Sequence, residues 1–145
     1  MKILVLNGPN LNLLGAREES NYGALTLEEI ESLIKSEFPN DNFEFIQSNL
    51  EGELVNELQK VESNFQGLMI NPGGYAHTSV AIRDALELVN LPKVEVHLSN
   101  LSEREDFRHK SITASKTNGY VSGFKELSYL AGVYLLKRIH NRNSI

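Results

Sequence analysis

Short strand-like runs alternate with longer amphipathic segments along almost the whole of this chain. The runs lie at residues 2–6, 43–47, 67–70, 94–98 and 120–122, and they predict five β-strands. Runs that are nearly all apolar, such as 2–6 and 67–70, are typical of parallel strands covered by helices on both faces. Strict β-α alternation therefore predicts an α/β fold with a five-stranded parallel sheet, and right-handed crossovers favour the strand order 2-1-3-4-5.

Four amphipathic segments predict the helices. Thr26 and Glu29 have the spacing of a capping box, so the first helix is expected to begin at Thr26. Apolar residues at helical spacing mark a second helix at residues 54–61 and a third at 81–89. The polar tail at 138–145 is expected to fray. The last helix is predicted to present one apolar face, made of Phe124, Leu127, Leu130, Ala131, Tyr134 and Leu135.

Two long polar connections, at residues 7–24 and 100–118, interrupt the pattern. A loop longer than about 12 residues within a small domain is usually functional or disordered. In the first connection, Leu11, Leu13 and Leu14 are expected to anchor the first half. The second half is polar enough to act as a lid over a binding site.

Composition narrows the class of protein. The 145 residues fit a single domain, 1–145, which is long enough to bury a core without disulfides. The net charge of −5 argues against nucleic-acid and anionic-membrane partners, and no run approaches the roughly 18 apolar residues of a membrane span. Because there is no Cys and the four His lack metal-ligand spacing, neither thiolate chemistry nor a metal site is expected. A cytoplasmic enzyme or binding protein is the expected class.

Polar residues are predicted to converge on one crevice. In a sheet of this order, ligands bind beyond the carboxyl ends of strands 1 and 3, and polar turns follow both strands, at residues 7–10 and 71–77. In the next strand, Glu95 and His97 are two residues apart and therefore point to the same face. A carboxylate beside an imidazole suits acid–base chemistry. The alternative interpretation is that Glu95 and His97 lie on the solvated face of an edge strand and have no catalytic role.

The same turns argue against nucleotide binding. The turn after strand 1 lacks the G-x-G-x-x-G pattern, and Asn7 and Asn71 stand where a receiver domain needs acids. No nucleophile with a base and an orienting group is evident, so proton-transfer chemistry, an elimination or an isomerisation, is favoured. The amide, hydroxyl, imidazole and guanidinium groups suit a small polyhydroxylated anion. They belong to Asn10, Arg17, Tyr22, Asn71, His77, His97, Ser99 and Arg108.

Three long motifs in order resemble one family, the type II 3-dehydroquinate dehydratases. They are GPNLNLLG at 8–15 with Arg17 and Tyr22-Gly23, NPGGYAH at 71–77, and EVHLSN at 95–100 with Phe107-Arg108-His109. The resemblance implies a flavodoxin-like three-layer fold, a dodecamer of four trimers, and no cofactor. It implies anti elimination of water from 3-dehydroquinate, through an enolate, to give 3-dehydroshikimate. That reaction belongs to the shikimate pathway, which leads to chorismate and the aromatic amino acids, or to quinate catabolism.

The resemblance also implies the reacting groups. Tyr22 is expected to be the base that removes the proton beside the ketone, and Arg17 to favour the tyrosinate. Asn10 is expected to hold a water that stabilises the enolate. His97 is expected to protonate the departing hydroxyl. Apart from the resemblance, the position of Glu95 two residues before His97 leads to the hypothesis that its carboxylate orients His97.

The remaining site residues are expected to bind substrate. The implied contacts are the side chains of Asn71, His77 and Arg108 and the backbone of Leu98 and Ser99. Gly73 and Gly74 are expected to support the binding turn, and Asp84 to reach a neighbouring subunit's site.

Two alternatives and two departures from the family pattern accompany this prediction. The alternatives are a non-catalytic module that binds shikimate-type acids and a flavin electron carrier. The departures are Ser102, where the family often has His, and Glu19, where it often has Pro. Ser102 is expected to change the polarity of the pocket edge, and Glu19 to loosen the lid.

Overall fold

A computed structural model of the chain describes residues 1–143 and contains one five-stranded parallel sheet. The strand order is β2-β1-β3-β4-β5, which confirms the predicted topology. The winding direction reverses between β1 and β3, whose facing ends bring Asn7 and Asn71 into register. The strands are β1 (Lys2–Asn7), β2 (Asn42–Gln47), β3 (Gly67–Asn71), β4 (Lys93–His97) and β5 (Gly119–Ser122).

Within residues 1–143, five α-helices and five short 3-10 segments connect or follow the strands. The helices are α1 (Glu19–Tyr22), α2 (Leu27–Glu37), α3 (Glu51–Asn64), α4 (Val80–Leu88) and α5 (Glu126–Asn143). The 3-10 segments are Leu11–Leu13, Gly73–His77, Leu101–Glu103, Asp106–Arg108 and Ala114–Lys116. The capping box is confirmed, because Thr26 accepts from the Glu29 N–H and Glu29 accepts from the Thr26 N–H.

Side chains that alternate along the strands build a separate core on each face of the sheet. Ile3 and Val5 point to the face covered by α2 and α5. Leu4 and Leu6 point to the face covered by α3 and α4. This alternation follows from the two-residue period of a strand. It gives three layers, with every carboxyl end of the sheet on one edge.

Helix α5 reaches further along the chain than the predicted apolar face, and it buries a different face against the sheet. Helix α5 continues to Asn143, so the part of the tail at 138–143 is helical, and residues 144–145 lie outside the described part. The face of α5 that packs on the sheet is made of Ser128, Tyr129, Gly132, Val133 and Leu136. Of the predicted apolar face, Leu130 and Ala131 are half-buried, and Phe124, Leu127, Tyr134 and Leu135 are exposed.

Two of the three leucines predicted to anchor the connection at residues 7–24 are buried. Leu11 and Leu14 are buried as expected, but Leu13 is 52% exposed, so the expectation that it anchors the loop is wrong. Strand β4 lies between β3 and β5, and Glu95 is fully buried. The alternative of a solvated edge strand is therefore wrong.

Within residues 1–143, no helix combines the length and apolar character that crossing a membrane requires.

Candidate active site

A cleft opens at the carboxyl edge of the sheet, where β1, β3 and β4 end. Its empty volume, which includes open solvent at the mouth, is about 510 Å³. Most predicted site residues line it. The lining residues are Pro9, Asn10, Arg17, Tyr22, Asn71, Gly73, Gly74, His77, His97, Leu98, Ser99, Leu101, Arg104 and Arg108.

Close backbone contact between the β1 and β3 turns forms the floor. The Gly8 N–H donates to the Asn71 carbonyl at 2.7 Å, and a Cβ on Gly8 would lie 2.4 Å from the Pro72 oxygen. Gly73 has a φ of +60°, and a Cβ there would lie 3.0 Å from the Pro9 oxygen. Glycine is therefore required at both positions. A Cβ on Gly74 would meet no atom within 4 Å, so its packing within the chain does not require glycine.

Asn10 is held at the mouth in a left-handed conformation, with a φ of 68°. Its backbone N–H donates to Oδ1 of Asn49 at 3.0 Å. The same Oδ1 accepts from Nε2 of Gln47 at 3.1 Å, and the Asn49 carbonyl accepts from the Tyr75 hydroxyl at 3.1 Å. Asn49 therefore ties the first turn to the segments that follow β2 and β3. A non-glycine residue in this conformation is uncommon and costs energy, which is typical of functional sites.

Two guanidinium groups meet on the hydroxyl of Tyr22. Nη2 of Arg17 donates to this oxygen at 2.8 Å, and Nη1 of Arg104 donates to it at 2.9 Å. The Arg17 guanidinium also lies over the ring, 3.8 Å from its centre. Since both donors are positively charged, they stabilise negative charge on the phenol oxygen. The arrangement suits a tyrosinate acting as a base.

A buried carboxylate holds His97. Oε1 of Glu95 lies 2.6 Å from Nε2 of His97. The hydroxyl of Ser111 donates to the same oxygen at 2.7 Å, and the hydroxyl of Thr113 donates to Oε2 at 2.6 Å. Because Nε2 faces Glu95, Nδ1 is the ring nitrogen that remains for a ligand. Orientation by a hydrogen-bonded carboxylate suits a proton donor or acceptor.

His77 lies beside His97, with 6.2 Å between the ring centres. Nδ1 of His77 is 2.9 Å from the Lys110 carbonyl, which fixes Nδ1 as the protonated nitrogen. Burial lowers the pKa of His77 and the charge of Arg108 lowers it further, although the Lys110 carbonyl and the Glu95 carboxylate oppose this shift. Near neutral pH the imidazole is therefore uncharged and presents Nε2 as an acceptor.

Arg108, one of the predicted substrate contacts, has a competing partner within the chain. Nε of Arg108 donates to Oε2 of Glu105 at 2.8 Å, and Glu105 also lies 3.5 Å from Nε of Arg104. Glu105 is half exposed, so this network is a weak surface interaction. The Arg108 guanidinium lines the cleft and can exchange Glu105 for an anionic ligand.

Two predicted residues lie outside the cleft lining. Glu95 stands behind His97. Asp84 is on α4 with its side chain 61% exposed and paired with Arg83 at 2.8 Å. Ser102 lies in a separate surface groove with His109 and Tyr120, so it does not change the polarity of the cleft lining.

The sequence reasoning missed Arg104, Ser111 and Thr113. Arg104 is four residues before Arg108 in the same polar connection, and that pairing of arginines was a usable signal. For Ser111 and Thr113 the sequence offered no such signal, since each contacts Glu95 across 16 or more residues.

Within residues 1–143, no group of three or more His, Asp or Glu side chains is placed to hold a metal ion.

Comparison with known proteins identifies relatives over nearly the full length. The family described as "Dehydroquinase class II" matches residues 1–137. A protein of Aliarcobacter butzleri named 3-dehydroquinate dehydratase is 48% identical over 143 residues, covering 97% of this chain and 87% of that protein. One of the same name from Fusobacterium nucleatum is 46% identical, covering 98% of this chain and all of that protein.

A solved structure shows the same likeness. The type II dehydroquinase of Butyrivibrio crossotus is 44% identical to this chain and superposes with a TM-score of 0.91. The match covers 94% of this chain and 97% of that one.

Proposed function

Because this chain belongs to the class II dehydroquinase family, we propose that it is a 3-dehydroquinate dehydratase, a hydro-lyase. The reaction proposed is anti elimination of water from 3-dehydroquinate to give 3-dehydroshikimate, with no cofactor. The name of the relatives and their coverage of the whole chain support the substrate. The observation that carries the proposal is the Tyr22 hydroxyl held between two guanidinium groups.

In the first step Tyr22, as tyrosinate, removes the proton beside the ketone and leaves an enolate. A charge about 4 Å away supplies roughly 4 kcal/mol at an effective dielectric of about 20. Arg17 and Arg104 both lie closer than this to the tyrosine oxygen. Asn10 holds a water that stabilises the enolate oxygen. The left-handed conformation of Asn10 at the mouth of the cleft supports a specific role for that residue.

In the second step the carbon–oxygen bond to the leaving hydroxyl breaks. His97 gives the proton from Nδ1, and the hydroxyl departs as water while the enolate electrons form the new double bond. Tyr22 gains one proton and His97 loses one, so the return of a proton restores the enzyme. The contact between Glu95 and Nε2 supports this assignment, because it orients the ring and leaves Nδ1 as the nitrogen that can face the substrate.

The role of Glu95 has its own test. Glu95→Gln keeps the shape of the side chain but removes its charge. It is expected to lower kcat by roughly tenfold and to shift the limb of the pH profile that reports the acid. Unchanged turnover with an unchanged profile would remove Glu95 from the mechanism.

The substrate is held by groups on three turns. Arg108 pairs with the carboxylate. Asn71 and His77 bind hydroxyls, and Gly73 and Gly74 shape the turn that carries them. The carbonyls of Leu98 and Ser99 accept from the Lys125 N–H and the Ser122 hydroxyl, so their N–H groups are the proposed backbone contacts.

The proposed assembly is a dodecamer of four trimers in which Asp84 reaches a neighbouring subunit's site. Two observations support contact between copies. Asp84 is exposed and does not line the cleft of its own chain. Large apolar side chains are exposed on and before α5, among them Phe124, Leu127 and Tyr134, and such patches mark interfaces.

The function is tested by mixing purified protein with 3-dehydroquinate and following ultraviolet absorbance. Dehydration creates a conjugated enone, so the product reports itself. A signal that rises with the native chain and is absent with Tyr22→Phe is expected. A signal that persists with Tyr22→Phe would overturn the assignment of the base. No signal from folded native protein would overturn the enzyme and favour a binding module.

A further inference from the structure

A tyrosine from the far end of the chain lies between the two asparagines at the point where the sheet reverses its winding. Asn7 and Asn71 are register partners at the ends of β1 and β3, and both are buried. Tyr129, on α5, is fully buried, and its hydroxyl contacts both amides. Buried amides need hydrogen-bond partners, and the Tyr129 hydroxyl supplies one to each of these two amides.

The hydrogen bonds in this cluster run in one direction. The Gly73 N–H donates to Oδ1 of Asn71 at 3.1 Å, which places the NH₂ end of Asn71 towards Tyr129. Nδ2 of Asn71 donates to the Tyr129 oxygen at 3.0 Å, and the Tyr129 hydroxyl donates to Oδ1 of Asn7 at 2.7 Å. Burial raises the pKa of Tyr129 above its ordinary value, so the hydroxyl keeps the proton it donates. Rotating the Asn71 amide by 180° would place its NH₂ against the Gly73 N–H.

Asn71 therefore reaches the cleft with its amide already oriented. One of its two N–H bonds is used by Tyr129, and one lone pair of Oδ1 is used by Gly73. What remains for a ligand is one N–H and one lone pair. Asn71 is 3% exposed and lines the cleft. A rotation of its amide would therefore change the direction in which the remaining N–H and lone pair face a ligand.

We propose that Tyr129 is a positioning residue of the active site, whose hydroxyl orients the Asn71 amide towards the substrate. Asn7 supports it by accepting a hydrogen bond from the tyrosine hydroxyl, which leaves a lone pair of the tyrosine oxygen to accept from Asn71. Nδ2 of Asn7 finds no acceptor among residues 1–143, so Oδ1 is the end of this amide that the protein uses. The inference rests on the proposed function, in which Asn71 binds a hydroxyl of the substrate.

The test is a double-mutant cycle between Tyr129→Phe and Asn71→Ala, read from kcat and KM for 3-dehydroquinate. Tyr129→Phe keeps the ring in the core and removes only the hydroxyl. In the native background it is expected to lower kcat/KM by about tenfold, mostly through a higher KM, because the amide binds and does not react. In the Asn71→Ala background it is expected to change kcat/KM by less than about twofold, since the group it acts through is gone.

Controls separate positioning from general stability. Tyr120→Phe makes the same change on an exposed side chain of β5 and is expected to leave kcat/KM unchanged. If turnover of Asn71→Ala is too low to measure, the cycle is read from the Kd for 3-dehydroshikimate. If Tyr129→Phe fails to fold, Asn7→Ala is used instead, because it removes the side chain that accepts the hydrogen bond from Tyr129. It is expected to lower kcat/KM by a smaller factor than Tyr129→Phe, and to have no effect in the Asn71→Ala background.

The outcomes distinguish this inference from the function it rests on. Inactive native protein would overturn the proposed function and the positioning role with it. With an active native protein, the positioning role is overturned if Tyr129→Phe has no effect on kcat/KM. It is overturned equally if Tyr129→Phe lowers kcat/KM by the same factor in both backgrounds, because that result marks a general packing defect.

Discussion

At the scale of single residues, the active site depends on charged and polar groups that act on one another. Tyr22 is held by Arg17 from its own loop and by Arg104 from a segment 82 residues away. Arg104 also donates to Oγ of Ser99 at 3.1 Å, and its side chain is 10% exposed. A nearly buried guanidinium with two hydrogen bonds is fixed in place, so it stabilises charge without reorganisation.

The first prediction concerns the charge of Arg104. Arg104→Gln keeps a hydrogen-bond donor but removes the positive charge from the tyrosine oxygen, and is expected to lower kcat/KM roughly 100-fold. Steady-state kinetics with 3-dehydroquinate measures the loss. The same substitution at Arg138, an exposed residue of α5, is the matched control and is expected to leave the kinetics unchanged. Native-like rates for Arg104→Gln would mean that Arg17 alone supports the tyrosinate.

The second prediction concerns His77 and pH. Because burial lowers the pKa of His77 below 6.5, the unfolded chain binds a proton at this position before the folded chain does. The stability that neutral His77 contributes is therefore complete above about pH 6.5 and declines as the pH falls below that value towards the lower pKa of the folded state.

Urea unfolding of the native chain and of His77→Gln, at several pH values between 8 and 5, tests the prediction. The stability difference between native and variant is expected to shift against the native chain below about pH 6.5. A difference that is constant across this range would contradict the lowered pKa.

At the scale of elements, α5 shows how packing distance decides which face of a helix is buried. Its sheet-facing side includes Gly132, where a Cβ would lie 2.6 Å from Sδ of Met69 and 2.8 Å from Cγ1 of Val96. The absence of a side chain lets the helix approach β3 and β4 closely. Tyr129 and Leu136 then enter the core on the same side, and the more apolar face is left outward.

The third prediction is that two glycine-to-alanine substitutions change the free energy of unfolding in opposite directions. Gly132→Ala is expected to destabilise the protein by about 1–2 kcal/mol, because overpacking at Met69 and Val96 exceeds the gain in helix propensity. Gly52→Ala in α3 meets no atom within 4 Å and is expected to be neutral or stabilising by up to about 1 kcal/mol. Urea unfolding followed by circular dichroism compares the two. A stabilised Gly132→Ala protein would mean that α5 can move away from the sheet.

At the scale of the whole molecule, the site of one chain is proposed to need a residue from another. Helix α4 directs Asp84 outward, and exposed apolar residues on α5 give further surface for contact between copies. Twelve copies would remove much of this surface from water.

The fourth prediction is complementation between two defective chains. Tyr22→Phe is expected to be inactive and Asp84→Ala to be weakened. When the two are unfolded together and refolded as mixed oligomers, some sites combine native Tyr22 with a neighbour's native Asp84. The specific activity of the mixture is therefore expected to exceed the mean of the two separate proteins. An activity equal to that mean would place Asp84 outside the neighbouring site.

Much of this architecture follows from local patterns. Strand and helix periodicity, the capping box at Thr26 and the alternation of elements predicted the sheet order, because local propensity and right-handed crossovers leave few topologies open. The convergence of the β1, β3 and β4 ends followed too, since parallel strands place their carboxyl ends on one edge. Those ends carry Asn10, Asn71 and His97, which is why most of the cleft was predicted.

The tertiary structure alone decided the contacts between distant side chains. Arg104 on Tyr22, Thr113 on Glu95 and Tyr129 between Asn7 and Asn71 depend on the course of irregular loops and on the seating of α5. No period in the sequence encodes such contacts, because they join segments whose separation is set by the folded backbone. The buried face of α5 was decided in the same way, by the space that Gly132 leaves above the sheet and not by which residues are most apolar.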